Sequence, residues 1–73
     1  MIFSSNENML INILTYEEYV SAKHLAETLY VSTKTIYRMI KKVNELFMEE
    51  KKEPLIISEA GKGYKLSSHF RNR

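Results

Sequence analysis

The chain has 73 residues, 44% of them hydrophobic and 27% charged, with two Gly, one Pro and no Cys, which fits one small domain and no second core. A chain this short buries only about 60% of its unfolded surface, too little to wall off a large substrate cavity, so an enzyme is not expected; without Cys, disulfides and Cys-based zinc sites are excluded, and a reducing cytoplasm suits it. The net charge is +2, and the longest uncharged stretch, residues 8–16, is nine residues long, far below the roughly 18 of a spanning helix, with no basic segment before it, so neither a membrane span nor a secretory leader is expected.

Ser4 and Glu7 have the spacing of a reciprocal capping box, and Leu10, Ile13 and Leu14 follow at helical intervals, which predicts a first helix over residues 5–16. Tyr19 and Val20 suit a short extended link or a one-pair strand. Ser21 is a good N-cap, and Ala22, Leu25, Ala26 and Leu29 line one face of a second helix over 22–29. Ser32 is another N-cap, and Ile36, Ile40, Val43 and Phe47 recur every three or four residues, which predicts a third helix from 33 to about 50. Pro54 stops any helix. Beyond it, residues 55–58 are β-prone and both glycines fall within 60–63. Residues 63–66 alternate, with Tyr64 and Leu66 on one side and Lys65 on the other. This pattern predicts a β-hairpin with Lys62 at its tip.

Two helices joined by a link of two or three residues, with the small Ala26 at the crossing, describe a helix-turn-helix. The hairpin completes a winged helix of α+β, mainly α, class. Residues 1–68 are expected to form this domain and 69–73 a tail or the start of a linker.

Charge is segregated along the chain. Residues 33–42 hold Lys34, Arg38, Lys41 and Lys42 and no acid, and residues 60–73 hold Lys62, Lys65, Arg71 and Arg73 and no acid. Two basic islands in an acidic field make a local positive potential suited to a polyanion. At about 100° per residue, the face of the third helix opposite its apolar stripe is centred on Arg38 and carries Lys34, Lys41, Lys42 and Glu45. Thr33, Thr35 and Tyr37 flank it. Arg and Lys can donate to guanine O6 and N7, Thr can donate, accept or touch a thymine methyl, and phosphates take the remaining cations. Ser32, at the positive end of the helix dipole, is placed to hold a phosphate. Lys62, between two glycines, can enter a minor groove or pair with a phosphate. The expected partner is double-stranded DNA, bound through Ser32, Thr33, Lys34, Thr35, Tyr37, Arg38, Lys41, Lys42 and Lys62.

Residues 21–47, SAKHLAETLYVSTKTIYRMIKKVNELF, and residues 56–66, IISEAGKGYKL, resemble the winged helix-turn-helix domain of bacterial sugar-operon activators. These are the mannitol- and lichenan-type regulators that carry phosphotransferase regulation domains (PRD), and the related Mga-type virulence regulators. The most specific parts are Val31, Ser32, Thr35 and Ile36 at the start of the third helix, and GKGYKL. The biotin operon repressor domain fused to biotin protein ligase shares a similar GKGY wing. The resemblance implies sequence-specific DNA binding in a transcriptional regulator, a homodimer in the full-length protein and an isolated domain that can be monomeric. Family members commonly have Gly where Tyr30 stands, so Tyr30 either bears backbone strain or belongs to another turn type. Many carry Asp where Met39 stands.

Other residues have simpler readings. His24 and His69 are far apart with no ligand-spaced partners, so no metal or catalytic triad is expected. Glu17, Glu18, Glu49, Glu50 and Glu53 read as solvated ends and loops. Met9 and Met48 are expected to fill core gaps, with Met39 at the edge of the stripe. Tyr64 is expected to pack the hairpin onto the third helix. Tyr16 and Tyr19 are expected in the core rather than at a dimer contact. The competing functions are a winged helix that meets an acidic protein partner, and the regulatory domain of a biotin-ligase-like enzyme.

Overall fold

The computed structural model describes residues 2–67. The proposed tail at 69–73, with His69, Arg71 and Arg73, lies outside the described residues. The chain runs α1 (Ser5–Tyr16), α2 (Ala22–Leu29), α3 (Thr33–Lys51), β1 (Ile56–Glu59) and β2 (Gly63–Leu66).

Each helix starts where a serine can cap it. The hydroxyls of Ser4, Ser21 and Ser32 accept from the backbone N–H three residues on, at Glu7, His24 and Thr35, satisfying donors that have no partner inside the helix. At α1 the box is reciprocal, because the Ser4 amide donates to the Glu7 carboxylate at 2.8 Å. Both α2 and α3 end on a residue in the left-handed region, Tyr30 at φ 60° and Lys52 at φ 65°. At Tyr30 the question left open by the sequence is answered: the turn keeps the left-handed geometry, and a residue with a Cβ bears the strain. The amides of Tyr30 and Val31 both reach the Ala26 carbonyl and close the end of α2. Lys52, rather than Pro54, ends α3.

The apolar stripes meet in one core of Leu10, Leu14, Val20, Leu25, Ala26, Leu29, Ile36, Met39, Ile40, Val43, Leu55, Ile56 and Leu66. Leu10, Leu14, Leu25, Ile36 and Val43 are fully buried, and each contributes roughly 1.5–3 kcal/mol by leaving water. Met9 and Met48, expected in the core, are instead 48% and 44% exposed. Met9 is turned about 100° from Leu10 on α1, and Met48 about 80° from Arg38, the centre of the outward face of α3. Tyr16 is 79% exposed at the end of α1, and Tyr19 leans on the hairpin instead of entering the core.

β1 and β2 pair antiparallel, with Ile56 opposite Leu66 and Ser58 opposite Tyr64. Val20 adds a bridge to the free edge of β2, exchanging both backbone hydrogen bonds with Tyr64 at 2.8 and 2.9 Å. The hairpin turns through Ala60, Gly61 and Lys62. The Lys62 amide reaches the Glu59 carbonyl at 3.0 Å and Gly61 sits at φ 79°, the third-position geometry of a type II turn. Gly63 has a stricter reason: a Cβ there would lie 2.7 Å from the Val20 carbonyl oxygen. Three helices with a two-stranded hairpin packed at their side form a winged helix-turn-helix, in which α2 and α3 are the helix pair and β1–β2 the wing. Among the described residues no helix is long and apolar enough to cross a membrane.

Candidate nucleic-acid interface

The candidate surface is built on α3, because the burial of Ile36, Met39, Ile40 and Val43 fixes which side of the helix faces outward. Lys34, Arg38, Lys41, Lys42 and Glu45 are all exposed. Their spacing divides them: Lys34, Lys41 and Tyr37 lie on the flank toward the wing, and Lys42 and Thr35 on the opposite flank. Lys42 points back toward α1, its Nζ 3.8 Å from a carboxylate oxygen of Glu7. Glu7 is itself buried and held by its capping bond, so Lys42 serves the α1–α3 packing as well as the surface. Lys34, Arg38 and Lys41 form the outward basic core.

Ser32 and Thr35 are engaged with each other. The Ser32 Oγ accepts from the Thr35 amide and donates to the Thr35 Oγ1, both at 3.1 Å. Thr33 is exposed beside them, at the positive end of the α3 dipole.

The wing brings Lys62 to the same side of the molecule. A cleft between the hairpin, the start of α2 and α3 is lined by Ser21, Tyr37, Ser58, Lys62 and Tyr64, among others. Lys62 and Tyr37, 25 positions apart in sequence, therefore flank one groove. Tyr64 is half-buried at its floor, as expected for a residue that packs the hairpin onto α3. Burial pushes its phenol above the ordinary value, and Tyr37 nearby adds to the rise.

Two side chains hold the wing in place, one that the sequence reading passed over and one that it placed in the core. Asn44, one turn beyond Ile40 on α3, accepts from the Leu55 amide at 3.1 Å and the Ile56 amide at 2.9 Å, and donates to the Ile56 carbonyl at 2.9 Å. One amide thus satisfies three backbone groups where β1 begins. The only sequence signal was a poor helix former inside a helix, next to the buried stripe. Tyr19 is the other. Its hydroxyl donates to the Glu59 carboxylate at 2.7 Å, and that carboxylate also lies 3.6 Å from Lys65 Nζ. The Tyr19 bond is the main reason that the Glu59 carboxyl lies below its ordinary value; burial opposes it, and the Lys65 and Lys62 charges add to the lowering.

The arrangement offers a cylinder of about 10–12 Å diameter with cations on its outer side, flanked by a narrow basic tip. Among the described residues no group of three or more His, Cys, Asp or Glu side chains is placed to hold a metal ion. A search of curated proteins found no match for the chain. Its sequence does match the HTH domain family over residues 6–65, a span that takes in all three helices and the wing through Lys65, and the chain belongs to that helix-turn-helix family.

Proposed function

We propose that this domain binds double-stranded DNA as the recognition module of a transcriptional regulator, with α3 in the major groove and the wing on the adjacent minor groove or backbone. The observation that carries the reading is the outward face of α3, where Lys34, Arg38 and Lys41 are exposed while the opposite face is locked into the core. A major groove about 12 Å wide admits a helix of this diameter. In this reading Arg38 and Lys34 reach base edges, Thr33, Thr35 and Tyr37 supply shorter contacts, and Lys41, Lys42, Lys62 and, through backbone N–H groups rather than its hydroxyl, the helix start at Ser32 take phosphates. Membership of the helix-turn-helix family supports it. The likeness of residues 21–47 and 56–66 to PRD-containing activators adds a finer reading: a bacterial, cytoplasmic regulator of a sugar-utilisation operon that binds paired half-sites as a homodimer.

The test is fluorescence anisotropy of the domain against a labelled random-sequence duplex over a salt series. Binding is expected, with log affinity falling linearly and steeply against log salt as counterions are released. Absence of binding at low salt would overturn the reading in favour of a protein-contact module.

A further inference from the structure

We propose that Tyr19, outside both helices of the helix-turn-helix, is a positioning residue for DNA binding: its ring seats the wing lysine Lys62 where it can meet the duplex. The inference rests on the DNA-binding reading above. Its basis is the register of the sheet. Val20 pairs with Tyr64, and paired residues share a face, so Val20 turns inward with Tyr64, Ser58 and Leu66. Tyr19, one residue earlier, falls on the outer face with Lys65 and Glu59. There the Lys62 and Lys65 ammonium groups lie 5.2 and 5.3 Å from the centroid of the Tyr19 ring, inside the roughly 6 Å range of cation–π attraction.

The ring is itself fixed at two points. Behind it, the Val20 backbone is bonded to β2; at its tip, the hydroxyl donates to Glu59 at 2.7 Å. The same Glu59 oxygen lies 3.6 Å from Lys65 Nζ, so the hydroxyl end of the ring is tied to the Glu59–Lys65 pair while its face is left to Lys62. A lysine at the tip of a glycine turn has four rotatable bonds to order on binding; a seat on the ring removes part of that cost beforehand. Tyr19 acts through Lys62 and need not touch DNA.

The experiment is a double-mutant cycle read in salt dependence. Kd for a fixed duplex is measured at 50 and 200 mM salt for the parent, Lys62→Ala, Tyr19→Leu and the double variant, and the ratio of the two values is compared. One phosphate contact contributes about threefold to that ratio. Lys62→Ala is expected to lower it about threefold and Tyr19→Leu by nearly as much. The double variant is expected to show no further loss, because both changes remove one contact. Tyr19→Phe keeps the ring and is expected to keep most of the parent's ratio, which separates seating of Lys62 from damage to the wing. Independent, additive effects of Tyr19 and Lys62, or equal losses from Phe and Leu, would overturn the positioning role while leaving DNA binding intact. A parent that shows no salt-dependent binding would overturn both.

Discussion

The helix pair and the wing are held by different kinds of interaction. In α2 and α3 almost everything that defines the element lies within four residues of it: a serine hydroxyl on the amide three residues on, an apolar residue every third or fourth position, a left-handed residue at the end of α2. The wing has little of this. Asn44 reaches 11 and 12 positions along the chain, Tyr19 reaches 40, and Val20 supplies the third edge of the sheet. A two-stranded hairpin alone is marginal in water, so the wing exists because α3 and the α1–α2 link grip it. Its position beside the basic face of α3 is therefore a tertiary property, sensitive to single contacts far from its own strands.

The largest expected effect follows from Gly63. Gly63→Ala puts a Cβ 2.7 Å from the Val20 carbonyl oxygen at a backbone φ of 115°, so it should cost roughly 2–4 kcal/mol and undock the wing from Val20. Gly61→Ala, at φ 79° with open space around it, should cost only about 1 kcal/mol. Thermal unfolding with amide exchange at Tyr64 distinguishes them, and equal costs would mean that the Val20 approach is unimportant. Next, Asn44→Ala leaves two amides and a carbonyl without their partner and should cost about 2–3 kcal/mol. Exchange protection should be lost first at Leu55 and Ile56 and retained in α2; uniform loss would show that helix pair and wing are not separable.

Tyr30→Gly should act in the opposite direction. Tyr30 is 93% exposed at φ 60°, so glycine relieves strain without losing packing and should stabilise the domain by about 0.5–1 kcal/mol, seen as a raised Tm. The smallest effect concerns Glu59. Its carboxyl is held below the ordinary value of 4.5, so its contribution is present above the unfolded-state pKa and lost as pH falls through the folded one. The Tyr19 ring resonances should shift only in that acidic window, and a change centred near neutrality would contradict the Tyr19–Glu59 bond.

The same contrast explains what was legible in the sequence. The bounds of α1 and α2, the start of α3 and the hairpin turn are local signals, and all appear as read. Ser32 could be singled out because capping depends on one residue and its near neighbours, whereas Tyr30 stood out only through the resemblance, whose members commonly carry Gly there. The basic outward side of α3 also followed from periodicity alone. Met9, Met48, Tyr16 and Tyr19 were misplaced because an apolar residue near an interface can face either way, and only the partner element decides. Asn44 was missed for a related reason: its three backbone partners lie at Leu55 and Ile56, where the wing begins, which periodicity cannot bring near. The pairing of Lys42 with Glu7 was likewise invisible, since two residues of opposite charge 35 positions apart carry no sequence mark of contact.

The most direct test of the central claim is to select a preferred duplex for the parent and compare Arg38→Ala with Lys62→Ala on that duplex and on a scrambled one. Arg38→Ala should weaken the preferred site by about 1–3 kcal/mol and relax its preference at one position, whereas Lys62→Ala should weaken both duplexes alike and lower the salt slope by about one unit. Parental affinity and preference in Arg38→Ala would contradict the assignment of α3 as the reading element.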